Sequence, residues 1–123
     1  MGKVALHPGS SRPSSNPIAP GTKRGPFVYT SGQVARGATG NFVGKGDIRA
    51  QTRQTLENVK AVLEEGGASL GDVMKVTVFL ADIGDRDGMN EVYQEFFGEA
   101  PPPEAPSRSP LGRISWLRSK RWP

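Results

Sequence analysis

Between Phe27 and Phe97 the hydrophobic pattern alternates between two periods, strand then helix then strand then helix, and this constrains the fold more than any single motif. Phe27 to Val34 is dense in β-branched and aromatic residues and reads as a strand, with Gly32 marking a bulge or a close backbone approach. Gly37-Ala38-Thr39-Gly40 turns the chain, and Asn41 to Val43 reads as a short returning strand, giving a hairpin. Asp47 is a helix N-cap, after which Ile48, Thr52, Thr55, Leu56, Val59, Val62 and Leu63 recur at three- and four-residue spacing. Arg49, Arg53, Glu57, Lys60 and Glu64 point elsewhere, and Gly66-Gly67 stops the helix. Ser69 and Asp72 open the next unit, and Val73 to Leu80 alternates like a strand with one buried face.

Asp85 or Asp87 caps a second helix carrying Met89, Val92, Tyr93, Phe96 and Phe97. Gly98 and Pro101-Pro102-Pro103 end it. The resulting order β-β-α-β-α requires one more strand, so that a sheet can cover both helices on one face. The stretch able to supply it is Ile114 to Leu117, a poor strand followed by a basic end. The chain divides into a flexible leader over 1–24, rich in Ser, Pro and Gly, a body over 25–100, and an atypical segment over 101–123.

At 123 residues the chain suits one domain. No run of eighteen apolar residues is present, so no membrane span is expected, and the N-terminus lacks the apolar stretch of a secretory signal. Absence of cysteine excludes disulfides, thiolate metal sites and a thiol nucleophile. A cytoplasmic location follows as the default. The net charge of +4 invites a nucleic-acid reading, but five basic residues and no acidic ones follow Glu104. Without them eleven basic residues face twelve acidic ones, a balance of −1, so the body carries no footprint for a polyanion. Trp116 and Trp122 among basic residues imitate an aromatic and basic RNA surface, and we read them as accidental. His7 stands in the leader without a partner, and Gly66-Gly67 lacks the surroundings of a phosphate loop.

Three stretches carry a family resemblance: GPFVYTSGQV, GDIRAQTRQTLENVKAVLEEGGASLGDVMKVTVFLADI and MNEVYQEFFGE. Together they cover most of residues 25–99, and they resemble the reactive-intermediate deaminase family, also called YjgF or Rid. The resemblance implies a single α+β domain of chorismate-mutase-like topology, with helices on one face of a mixed sheet. It also implies a homotrimer with helices outside, sheets inward and ligand clefts between subunits. Family members hydrolyse 2-imino and 2-enamino acids of the 2-aminoacrylate type to 2-keto acids and ammonia.

By that resemblance, Pro106-Ser107-Arg108-Ser109 corresponds to the family motif whose arginine grips the substrate carboxylate, making Arg108 the anchor. Ser31, Gly32 and Asn90 match other pocket positions, with Asn90 alongside Arg108 in the catalytic role. No metal and no organic cofactor are implied. A guanidinium fork pairs with two carboxylate oxygens in plane, and positioning and polarisation supply the rest.

Two departures stand out. The usual pocket tyrosine is missing, since the corresponding stretch is Ser15-Asn16-Pro17-Ile18-Ala19-Pro20. The closing strand, with its water-directing Glu, is not recognisable. One GC-rich coding of Ile114 to Pro123, regrouped with each codon one nucleotide earlier, spells Leu-Leu-Val-Glu-Val-Glu-Ala-Val-Ala. That is the apolar and acidic alternation of a final strand, so a shifted reading frame is our hypothesis for the tail. Three functions follow: a cofactor-free deaminase, a non-catalytic trimer binding a small carboxylate in the same cleft, and, more weakly, an RNA-acting protein.

Overall fold

The computed structural model describes residues 2–9, 18–98, 104–108 and 115–117. Its elements are β1 (Val4–Leu6), β2 (Gly21–Arg24), β3 (Phe27–Thr30), α1 (Ile48–Glu65), β4 (Val76–Leu80), α2 (Arg86–Phe97), β5 (Glu104–Arg108) and β6 (Ser115–Leu117). The class is α+β, as expected. Strands β1, β2 and β3 form an antiparallel sheet, while β4 lies between β5, parallel to it, and β6, antiparallel to it. The second sheet is mixed, and among the described residues the two sheets remain separate three-stranded units.

Helix α1 forms where its sequence places it. Asp47 accepts hydrogen bonds from the Arg49 and Ala50 N–H groups at 3.1 and 3.2 Å, satisfying two donors that the first turn leaves open. The stripe Thr52, Thr55, Leu56, Val59, Val62 and Leu63 is buried. Gly67, at φ 83°, takes the left-handed turn that ends the helix, and Ser69 and Asp72 close a capping box on the short turn that follows. Strand β4 buries Val76, Val78 and Leu80 against Leu56, Val59 and Leu63 of α1 and Met89, Val92 and Tyr93 of α2. The strand is shorter than Val73 to Leu80, because Val73 closes the preceding turn by donating its N–H to the Leu70 carbonyl.

The expected hairpin is corrected. Strand β3 pairs with β2 of the 1–24 stretch, in the register Gly21 to Thr30 and Arg24 to Phe27, and it ends at Thr30. The turn at 37–40 is present, with the Gly40 N–H donating to Gly37 at 2.9 Å, but the return is a single bridge between Arg36 and Phe42. The physical reason is competition for the backbone. After Thr30, the Ser31 N–H donates to the Pro20 carbonyl at 2.9 Å, and the Asn58 carboxamide donates to the Val34 and Arg36 carbonyls at 2.9 and 2.8 Å. Those groups are thereby withdrawn from a continuous ladder.

In the tail, Glu104–Arg108 pairs with β4 in full register, Val76 to Glu104 and Leu80 to Arg108. Pro106 is tolerated there because β5 is an edge strand and a missing N–H leaves no ladder bond unmade on its outer side. The expected Ile114 to Leu117 strand is found as Ser115–Leu117, antiparallel to β4, with Ile114 itself outside the described residues. Pro101 to Pro103, Ser109, Ser15 to Pro17 and the chain after Leu117 also lie outside them.

Candidate functional site

The directions of the elements decide what can meet. Arg49 of α1 pairs with Glu91 of α2 at 2.7 Å, and Arg53 pairs with Glu95 at 2.8 Å. Both partners advance by four residues, so the two helices run parallel. Helix α2 carries the crossover between the parallel strands β4 and β5 and therefore runs opposite to both. Strand β3 also runs opposite to α1, since Val28 lies against Gly66 near the helix end while the later Val34 and Arg36 carbonyls are held by Asn58. It follows that β3, β4 and β5 all end on the side where α1 and α2 begin.

Arg108 is the last residue of β5, opposite Leu80, the last residue of β4. Asn90 sits near the start of α2, half-buried, and its carboxamide has no hydrogen-bond partner among the described residues. At about 100° per residue, Asn90 falls on the flank of α2 turned away from Gly88, Glu91 and Glu95, which meet α1. Since α2 begins at the end where β4 and β5 finish, fold and register place Asn90 and the Arg108 backbone at one end of the mixed sheet.

Ser31 and Gly32 leave β3 at a different level. Gly21, the register partner of Thr30, is packed on Val62, and Val34 is bonded to Asn58. Ser31 and Gly32 therefore lie about three turns along α1 from the Arg49–Glu91 pair, on the order of 16 Å at about 1.5 Å per residue. Within one chain the structure does not bring them to Asn90.

A polar cluster surrounds Ser31. Its N–H and its hydroxyl both donate to the Pro20 carbonyl, at 2.9 and 3.1 Å. The Gln33 carboxamide nitrogen lies 3.1 Å from Ser31 Oγ, 3.3 Å from the Pro20 carbonyl and 3.4 Å from the Ser31 carbonyl. Ser31 is thus engaged on both of its donors. The Gly32 N–H has no acceptor among the described residues, and Gly32 is exposed. Sequence reasoning did not single out Gln33; its position two residues after Ser31 in the SGQ word was the available signal.

The ion pairs between α1 and α2 are exposed. The Arg49 guanidinium, hydrogen-bonded to Glu91, holds the Glu91 carboxyl below its usual range, and Glu91 in turn raises Arg49. An open groove of about 330 Å³ runs between α1 and the 37–40 turn, lined by Ala38, Gln54, Asn58, Lys60 and Glu64 among others. None of Ser31, Gly32, Asn90 and Arg108 lines it, and its mixed charges with wide solvent access suit no particular ligand. Among the described residues no cluster of three or more His, Cys, Asp or Glu could hold a metal ion. No helix among them is long and apolar enough to cross a membrane.

A RutC family protein of Pyrococcus abyssi is 49% identical over 86 residues, covering 70% of this chain and 68% of that protein. TdcF of Escherichia coli, named as a reactive intermediate deaminase, is 43% identical over 84 residues, covering 68% of this chain and 64% of its own. The crystal structure of E. coli TdcF with bound serine superposes with a TM-score of 0.82 at 30% identity, covering 96% of this chain and 99% of that one. The family model described as Endoribonuclease L-PSP matches residues 9–118. Asp85 stands at the N-cap position of α2 without a side-chain capping bond, but with the strand order, the Asp47-capped α1 and the SGQ exit in place, the chain belongs to the Endoribonuclease L-PSP family, the Rid/YjgF group that its sequence words resemble.

Proposed function

We propose that the protein hydrolyses 2-imino and 2-enamino acids of the 2-aminoacrylate type to 2-keto acids and ammonia, as a cytoplasmic homotrimer whose sites lie between subunits. The carrying observation is the separation just described. Asn90 and Arg108 share one end of the mixed sheet, while Ser31 and Gly32 stand on the order of 16 Å away along α1. A three- or four-carbon acid cannot span that distance. The two groups serve one ligand only if a second copy supplies the missing half, which supports clefts between subunits.

In the cleft, Arg108 grips the substrate carboxylate through paired N–H donors, a geometry that lysine does not reproduce. The Asn90 carboxamide offers a donor and an acceptor to the imine nitrogen and the incoming water. The Gly32 N–H of the neighbouring copy is a further donor for a carboxylate or a developing oxyanion. The enamine first tautomerises to the imine. Water then adds across C=N, its oxygen bonding to C2 and its proton reaching nitrogen. The carbinolamine hydroxyl proton passes to the amine, the C–N bond breaks, and ammonia leaves as the C=O bond forms. Holding an already electrophilic carbon beside one directed water accounts for the catalysis.

A pyridoxal-phosphate enzyme that releases aminoacrylate, coupled to keto-acid detection, tests this. Keto-acid release accelerates with the wild type and returns to the background rate with Arg108→Ala, and equal melting temperatures of the two proteins separate lost binding from lost fold. Unchanged release on adding wild-type protein removes the enzyme reading. The substitution of Ser15 to Pro20 for the family tyrosine favours a second reading, a trimer that binds small carboxylates without turnover. Calorimetric binding of 2-oxobutanoate, lost in Arg108→Ala, without accelerated release would select it.

A further inference from the structure

We propose that Gln33 is the positioning residue of the β3 exit: its carboxamide ties Ser31 to Pro20 and so aims the Gly32 N–H at the carboxylate ligand. This rests on the proposed site. It concerns a residue that touches no substrate and acts through its neighbours.

The argument begins with an excess of acceptors. Pro20 carbonyl, Ser31 carbonyl and Ser31 Oγ surround one nitrogen at 3.3, 3.4 and 3.1 Å. The two carbonyls can only accept, so the amide must present its NH₂ to them and the opposite orientation is excluded. Those two hydrogens are shared among three acceptors. Ser31 Oγ, accepting from Gln33, passes its own hydrogen to Pro20, which closes a ring of polarised bonds. The ring joins residues thirteen positions apart, Pro20 beyond the end of β1 and Gln33 beyond the end of β3.

Gly32 lies inside that ring. The two residues flanking it are both held while its own N–H has no acceptor among the described residues. Gly32 has no left-handed backbone angle to lock it, since it is absent from the glycines with positive φ. The ring therefore holds the residues on either side of the Gly32 N–H. A glutamate in this place would set a carboxylate against the Pro20 and Ser31 carbonyl oxygens, neither of which can donate. A methionine would keep the volume with no donor, and an asparagine would fall short by one methylene.

The test compares wild type, Gln33→Met and Gln33→Glu in the full chain. The Gly32 amide resonance is followed by NMR during titration with 2-oxobutanoate, and kcat/KM is read in the coupled assay. The wild-type Gly32 resonance shifts with ligand. In Gln33→Met the shift disappears and kcat/KM falls about tenfold or more, since misplacement near a reacting centre is costly out of proportion to its size. In Gln33→Glu the loss is larger, while melting temperature and particle size match wild type. A Gly32 shift retained in Gln33→Met overturns the proposal, as does a wild-type Gly32 resonance that ignores the ligand. Wild-type turnover failing while the Gly32 shift is present and depends on Gln33 removes the deaminase reading and sustains this one.

Discussion

The two halves of the molecule are held by different physics. Around β4, apolar side chains from α1, β4 and α2 close on one another with almost no exposure. The half built on β1, β2 and β3 contributes Leu6 and a half-buried Val28 to the interior, and its outer face leaves Phe27 and Tyr29 exposed. It is located instead by close backbone approach at Gly21 and Gly66 and by hydrogen bonds at Pro20, Val34 and Arg36. Packing of the first kind carries stability and tolerates small shifts, whereas hydrogen-bonded contacts of the second kind carry direction. The proposed donor, Gly32, belongs to the second half.

The comparison breaks most readily at Leu56, which is fully buried between α1 and its neighbours. Leu56→Ala should cost about 2–5 kcal/mol in urea unfolding. A loss below about 1 kcal/mol would mean that the α1 stripe is not the main core. Gly21→Ala comes next. An added Cβ would overlap Val62 and sit 2.7 Å from the Tyr29 carbonyl, so β2 must move off β3 or α1 at a cost of about 1–3 kcal/mol. Amide exchange should then rise in β2 and β3 while β4 stays protected. Equal loosening of β4 would show that the halves are one cooperative unit.

The smallest effect belongs to the pairs between α1 and α2. Glu91 has a lowered pKa in the folded state, so its contribution is complete above the unfolded carboxylate range and disappears as pH falls through the lowered value. Both partners are more than half exposed, which keeps that contribution small and sensitive to salt. Glu91→Gln should leave melting at neutral pH and high salt unchanged and flatten the acid limb slightly at low salt. A neutral-pH loss as large as that of Gly21→Ala would mean that charge, beside apolar packing, holds the α1–α2 face.

The half around β4 was the legible one. Asp47, the stripe from Thr52 to Leu63, the Gly66-Gly67 stop and the alternation ending at Leu80 each follow from local period and capping chemistry, and each is where the sequence places it. Strand β2 was not legible. Gly21 to Arg24 has no alternation to detect, and its pairing depends on Gly21 offering no side chain where Val62 passes. The expected hairpin failed for a related reason, since the groups that would have paired it are taken by Asn58 and Pro20, far away in sequence. At the site, Arg108, Asn90, Ser31 and Gly32 came from resemblance to a family, and Gln33 was visible only as a geometry of acceptors. Strand β5 includes a proline that local propensity counts against, and only its edge position admits it. The shifted-frame hypothesis for the tail is decided by the gene's own nucleotide sequence.

Strand β4 is the middle strand of its sheet, yet both of its partners, β5 and β6, come later in the chain. During synthesis Val76-Thr77-Val78-Phe79-Leu80, a run of high β-propensity without charge, therefore leaves the ribosome with both edges bare. Helix α2 can cover one face of it, but a covered face does not satisfy an edge. The bare interval lasts until residues 104–117 have emerged, and throughout it the strand is open to pairing with another nascent copy of itself. The order of synthesis thus makes β4 the place where nascent copies of this chain can pair with one another.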